Sequence, residues 1–355
     1  MPSDPQAFLP LNAEPMWQRS ESDCEIVRIG KQKLRVTPVF YAYWRFAAER
    51  QRIFFRRLNG TAGPLTDDPV LRCFKFTNAY RASDRVSQYL IRNVIYRADL
   101  LSDPREIFFR TILFKLFNKI ETWEFLEESV GTIAWNDYDF ARYGRLLSRR
   151  MSEGSRIYSA AYIMPSGGSV FGQKLKHQNH LRMLEQLVRE HFQAKLAECR
   201  TMTAAFSLLR SVPFLEPFLA YQYVTDLNYS TLTDFGEDEF VMAGPGALDG
   251  IHKCFVGADE VASSDIIRYM FDHQQKYFGE LGIEFLSLWG RPLQLVDCQN
   301  LFCEISKYAR AAFPHYAGVA GRTRIKQKFQ SHGALPAPWY PPKWKIDATQ
   351  PAISS

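Results

Sequence analysis

The chain reads as a mainly α-helical protein. Two observations predict this class. Apolar residues recur at three- and four-residue spacing in run after run, and aspartate-proline pairs mark where two of those runs begin. Composition agrees: hydrophobic residues make up 46% and aromatic residues 14% of the chain, with 27 Phe and 17 Tyr to fill a helical core.

Residues 1–35 read as an arm, with KLRVTPVFYAYW extended ahead of the first helix. From Pro38, VFYAYWRFAAERQRIFFRRL is aromatic on one face and cationic on the other. Gly60 to Pro69 is a loop, and Asp67-Asp68 before Pro69 signals the next helix, VLRCFKFTNAYRASDRVSQYLIRNVIY. Ser102-Asp103-Pro104 caps a third, PREIFFRTILFKLFNKIETWEFLEESVG, with proline at its first position. DYDFARYGRLLSRRMSEG is a fourth. IYSAAYIMPSGGSVFGQ, glycine-rich and partly β-branched, reads as a short strand or a substrate-side loop. Helices resume through HQNHLRMLEQLVREHFQAKLAECR, TMTAAFSLLRSVPFLEPFLAYQYVTDLNYS and SDIIRYMFDHQQKYFGELG. One helical domain is expected over residues 36–330. The tail, residues 331–355, is Pro-rich (ALPAPWYPPKW) and is expected to lack packed structure.

The net charge is +6, and its cations cluster at Arg45–Arg57, Arg72–Arg97, Arg142–Arg156, Lys174–Arg189 and Arg322–Lys328. Clustered cations beside aromatics fit a polyanion partner. The six cysteines show no C-x-x-C pair and no spacing that joins them to the seven histidines, which predicts reduced thiols, no metal and no cofactor. His177 and His180 read as ordinary surface or core histidines. There is no apolar leader and no run of membrane-spanning length, so a cytoplasmic location (nuclear in a eukaryote) is expected, with no membrane partner. No G-x-x-x-x-G-K-S/T phosphate loop is present.

Two stretches carry the functional reading. In FGEDEFVMAGPGALDGIHKCF, Gly244-Pro245-Gly246 separates two apolar-periodic segments, and Gly250 follows four residues later. That is the layout of a helix-hairpin-helix over residues 235–255, whose glycines leave backbone N–H groups open to a DNA phosphate. In LWGRPLQLVDCQNLFCEISKYAR, Asp297 opens a helical pattern, either as a cap or as a functional carboxylate. In this order the pair resembles the helix-hairpin-helix DNA glycosylase fold, where such an aspartate faces the sugar of a flipped-out nucleotide. Leu248 stands where a lyase-active glycosylase would carry its Schiff-base lysine.

FYAYWRFAAERQRIFFRRL, TDDPVLRCFKFTNAYRASDRVSQYLIRNVIY, AYQYVTDLNYS, FVMAGPGALDGIHKCF and LWGRPLQLVDCQN together resemble the α-glutamyl/putrescinyl thymine pyrophosphorylase family. Its helical domain is also found attached to 5-hydroxymethyl-deoxyuridine (5-hmdU) DNA kinases, and the similarity runs from about Pro38 to Arg310. The resemblance implies DNA base hypermodification, in which pyrophosphate on a 5-hydroxymethyl-derived thymine is displaced by an amine such as glutamate or putrescine. It implies as partners DNA with a flipped modified pyrimidine, a small amine, and a separate 5-hmdU DNA kinase. Two alternatives stand beside it: a monofunctional glycosylase excising a modified pyrimidine, and a non-catalytic DNA-binding module.

Displacing pyrophosphate requires cations for the leaving group and a base for the amine. Lys75, Asn78, Arg81 and Arg85 are the candidates for pyrophosphate, the last three at i, i+3 and i+7 of the expected helix. Arg56 and Arg57 are second to them. Asp297 is the acid/base candidate. Tyr221, Gln222, Asp226, Gln299 and Asn300 are the candidates for a base pocket, and Trp289 and Arg291 for stacking or phosphate. Gly244, Gly246, His252 and Lys253 are expected at the DNA backbone.

Overall fold

A computed structural model describes residues 20–168, 170–330 and 335–350. The chain divides into two compact units where one domain was expected. Of the described residues, the first takes those up to Asp84, those within Phe240–Pro338 and 345–350; the second takes those within Arg85–Glu239 and Trp339–Trp344.

The first unit begins with an antiparallel hairpin, β1 (Ile26–Ile29) and β2 (Gln32–Val36), with Val27 opposite Leu34. Alternate residues Val27, Ile29, Leu34 and Val36 are buried, the period expected of a one-sided sheet. The later half of the expected arm is therefore structured, while residues 1–19 lie outside the described residues. Thr37 then caps α1 (Pro38–Leu58), its hydroxyl accepting the Val39 N–H at 3.2 Å. The cationic face expected of α1 is only partly solvated, since Glu49, Arg50 and Gln51 are buried with the aromatic residues. Asp68 caps the short α2 (Pro69–Cys73), accepting the Leu71 N–H at 2.8 Å. The helix expected beyond it stops there. Phe74 lies in an isolated antiparallel bridge, and after a 3-10 turn at Arg81–Ser83 helix resumes only at Arg85.

The second unit opens with α3 (Arg85–Tyr89), which runs on as π-helix over Leu90–Ile95. Asp103 caps α4 (Pro104–Phe117) by accepting the Arg105 N–H at 2.9 Å. The expected single helix breaks at Asn118, whose φ of 47° is left-handed, and α5 (Ile120–Val130) follows. Next come α6 (Phe140–Ser152), α7 (Lys176–Arg189), α8 (Phe192–Ala197), α9 (Met202–Arg210) and α10 (Pro217–Leu227). No strand forms among the described residues of 155–175.

Part of the expected unpacked tail belongs to this unit. Trp339 lies 4.8 Å from the Tyr96 ring, and Lys343 donates to the carbonyls of Ser230 and Thr233 at 3.2 and 2.6 Å. Aromatic rings supply enough buried surface to order a Pro-rich segment. Residues 331–334 and 351–355 lie outside the described residues.

Back in the first unit, α11 (Pro245–Cys254) leads into β3 (Phe255–Val256), which pairs with β2 and completes the order β1-β2-β3. Then come α12 (Ser263–Asp272), α13 (Gln274–Glu280) and α14 (Leu295–Ala312). No helix lies between α10 and α11, so Gly244-Pro245-Gly246 starts a helix and does not join two. The partner of α11 is α14. Gly246 and Gly250 face it: a Cβ on Gly246 would meet the Cys303 Sγ at 3.0 Å, and one on Gly250 would run into the Phe302 carbonyl oxygen. Trp44, Phe40 and Tyr277 form the aromatic centre beside them, with the Trp44 and Tyr277 rings stacked at 5.4 Å. No helix among the described residues is long and apolar enough to cross a membrane.

Candidate functional site

The first turn of α14 carries the candidate carboxylate. Gln294 is the N-cap and Asp297 the third helical residue, and the two close a capping box: Asp297 Oδ2 accepts the Gln294 N–H at 3.0 Å. Its other oxygen, Oδ1, accepts the Arg81 N–H at 2.8 Å. Asp297 is therefore a clasp as well as a cap, tying the Phe76–Asp84 loop to α14, and it is only 4% exposed.

The same face of α14 continues the attachment, since residues 297, 300 and 304 stand at i, i+3 and i+7. Asn300 Nδ2 donates to Thr77 Oγ1 at 3.1 Å and to the Asn78 carbonyl at 3.3 Å. Glu304 accepts the Thr77 N–H at 2.8 Å and is paired with Lys307 at 2.9 Å. Arg50 of α1 closes the other side, donating to the Thr77 carbonyl at 2.8 Å and to Asn78 Oδ1 at 3.3 Å. Burial lowers the Arg50 guanidinium to about 10. Within the loop, the Asn78 N–H is donated to Asp84 Oδ1 at 2.7 Å and the Asn78 amide to the Ser83 carbonyl at 2.7 Å.

Asp84 is a further carboxyl of this cluster. Burial raises its carboxyl from 3.8 to about 7; the Asn78 N–H opposes the shift and the Glu304 charge adds to it. The folded protein thus keeps the Asp84 proton to higher pH than the unfolded chain. The associated stability is full below pH 3.8 and is lost as pH rises towards about 7. Asp84→Asn, which keeps an acceptor for the Asn78 N–H, should therefore show less loss of melting temperature than the parent between about pH 5 and pH 8. Parallel melting curves at those pH values check this.

The candidates from sequence divide as follows. Asp297, Asn300, Asn78 and the backbone of Arg81 meet in this cluster. Asn78, Arg81 and Arg85 do not share a helix face, because residues 76–80 are not helical. The Asn78 side chain is occupied within the loop, and Arg81 is 3% exposed. Lys75 is exposed on the bridge segment. Arg85, in the second unit, is exposed and pairs with Glu121 at 3.2 Å. Gln299 is buried against Cys303, its amide donating to the sulfur at 3.3 Å.

Tyr221, Gln222 and Asp226 are buried on α10 of the second unit, where Asp226 pairs with Lys115 at 2.6 Å. Removing one partner strands the other's charge, so Asp226→Ala should destabilise that unit by roughly 3–5 kcal/mol. Restored stability in the Lys115→Met/Asp226→Leu double variant, measured by denaturant melts, would identify the pair as the cause. Gly244 caps α11, and Gly246 is turned to Cys303. Lys253 is not at the surface. It is 3% exposed, 3.6 Å from Asp249, and donates to the Ser306 carbonyl at 3.0 Å. His252 lies 3.4 Å from Asp259.

Thr77, Asp84, Arg50 and Glu304 were not singled out from sequence. The α14 pair was within reach, since Glu304 falls on the Asp297 face at helical spacing. Arg50 was not, because nothing local separates it from the solvated arginines around it.

The model of the 5-hmdU DNA kinase helical domain family matches residues 37–318. Among curated proteins, a 5-hmdU DNA kinase of Bacillus phage SP10 is 26% identical over 306 residues, covering 81% of this chain and 46% of that protein. The chain thus spans about half the length of the curated relative. No solved structure matches.

Proposed function

The chain belongs to the family of the 5-hmdU DNA kinase helical domain, and from that premise we propose that it acts on a 5-hydroxymethyl-derived thymine in DNA. The reaction we propose is displacement of pyrophosphate from a 5-(pyrophosphoryloxymethyl)uracil by an amine of the glutamate or putrescine class. A 5-hmdU DNA kinase activity would supply the activated base. One observation carries the reading: the Asp84–Asp297 cluster lies wholly inside the family-matched residues, and burial raises one of its carboxyls to about 7.

In this reaction the amine nitrogen forms a bond to the methylene carbon as the C–O bond breaks, and the pyrophosphate departs with the electron pair. The attacking nitrogen must then lose a proton. A carboxyl near 7 is suited to take it at neutral pH, and we assign that role to Asp84. Asp297, with each oxygen on a main-chain N–H, positions the loop that carries Asp84. An enclosed base, flipped from the stack, brings its C5 substituent to such a site.

The test is mass spectrometry of the nucleosides from a duplex bearing the pyrophosphorylated base, incubated with the protein and a mixture of glutamate and diamines. An amine adduct with released pyrophosphate supports the proposal, whereas free base and abasic DNA would make the protein a glycosylase. Asp84→Asn should lower the adduct rate by about 10²–10⁴-fold while leaving DNA binding intact. In the parent, the rate should rise with pH through an inflection near 7.

A further inference from the structure

The first unit brings together two cationic stretches that lie far apart in the sequence. Lys75 donates its N–H to the Gln327 carbonyl at 3.0 Å, Phe329 donates to the Cys73 carbonyl at 3.0 Å, and Phe74 bridges Lys328 in antiparallel fashion. Arg72 and Lys75 on one side, and Arg322, Arg324, Lys326 and Lys328 on the other, are all exposed. Along the second segment the cations stand at alternate positions, and Ile325 between them is buried.

This segment is held in place by buried groups. Asp249 accepts the Ala320 N–H at 2.8 Å and the Ser306 hydroxyl, and Lys253 neutralises it. A Cβ on Gly318 would collide with the same carboxylate. Arg310 donates to the Arg324 carbonyl at 3.3 Å. Among the described residues, Arg72, Lys75, Arg322, Lys326 and Lys328 have no ion-pair partner. Exposed charge of one sign on a fixed backbone suits a polyanion. The second segment also lies beyond residue 318, outside the family match.

We propose that this two-segment basic ribbon is a docking surface for the phosphate backbone of duplex DNA. The proposal rests on the reading that the protein works on DNA. It reassigns Lys75 from a leaving pyrophosphate to the DNA backbone, and it requires no base recognition, because phosphate contacts position a protein without specifying sequence.

The full chain should be titrated with a short, unmodified, fluorescently labelled duplex over a range of salt concentrations. Replacing Arg322, Arg324, Lys326 and Lys328 with Gln should make the log–log salt slope shallower by roughly 3–4, about one for each cation removed. Lys326→Gln alone, an exposed single change that melting curves can verify as folded, should reduce the slope by about 1. As a control, Arg145→Gln/Arg156→Gln should leave the slope unchanged. An unaltered slope in the ribbon variants, an equal loss in the control, or no duplex binding by the parent would each overturn the proposal. The duplex carries ordinary thymine and no amine is present. A failed adduct assay with a ribbon-dependent slope would therefore sink only the proposed reaction, and an adduct with a ribbon-independent slope would sink only the ribbon.

Discussion

Gly250→Ala should lower the melting temperature of the first unit by roughly 6–12 °C, corresponding to about 3 kcal/mol or more. The added Cβ would meet the Phe302 carbonyl oxygen and carbonyl carbon of α14, and this obstacle is backbone, not the mobile end of a side chain. Helix α14 would have to retreat from α11. Both helices carry buried attachments that resist such a shift, including Asp249–Ser306 and Lys253–Ser306 between them and Tyr43 on the Cys298 carbonyl at 3.1 Å. Gly279→Ala provides the contrast. That glycine is in α13 with nothing within 4 Å of an added Cβ, so alanine should be neutral or stabilising by a few tenths to about 1 kcal/mol. Thermal melts of the two variants side by side make the comparison. Near-equal melting temperatures would show that the α11–α14 approach leaves room for a Cβ at Gly250.

Gly250 also shows how far the sequence could be read. A small residue four positions after Gly246 signalled close packing, and close packing is present. The partner was misplaced, because a glycine shows that something approaches and not what approaches. The expected preceding helix is absent, and α14, some fifty residues later, takes its place.

Helix starts were legible where local chemistry decides them. Asp68 and Asp103 each cap a helix with proline at its first position. Helix ends were not, since left-handed Asn118 and His191 interrupt patterns that remain apolar-periodic on both sides. The segment after Phe74 fails as a helix for a tertiary reason. Arg50, Asn300 and Glu304 bond to the main chain at Thr77 and Asn78, and an α-helix would use those same groups internally. Burial of charge was the least legible feature. Lys253 and Asp226 looked like surface and pocket residues until Asp249 and Lys115 supplied buried partners.

Two substitutions at Asp297 should separate positioning from proton transfer. Asp297→Ala leaves the Arg81 and Gln294 N–H groups without the acceptor they use now. At about 1–3 kcal/mol for each stranded donor, with the Gln294 N–H only part-buried and so at the low end, the variant should lose roughly 2–4 kcal/mol. Amide exchange at Arg81 should quicken by orders of magnitude as the loop comes off α14. Asp297→Asn retains one acceptor oxygen and presents an N–H to the other donor, so it should fall between the parent and Asp297→Ala in stability and in Arg81 exchange.

The pH profile then distinguishes the two carboxyls. If Asp297 acts by holding the loop, Asp297→Asn lowers the adduct rate and keeps the inflection near 7 that belongs to Asp84. Asp84→Asn removes that inflection and leaves Arg81 exchange near the parent value. An Asp297→Asn protein with parental exchange at Arg81 but no turnover at any pH would reverse the assignment. Asp297 would then be the residue that meets the substrate, and the clasp its means of staying in place.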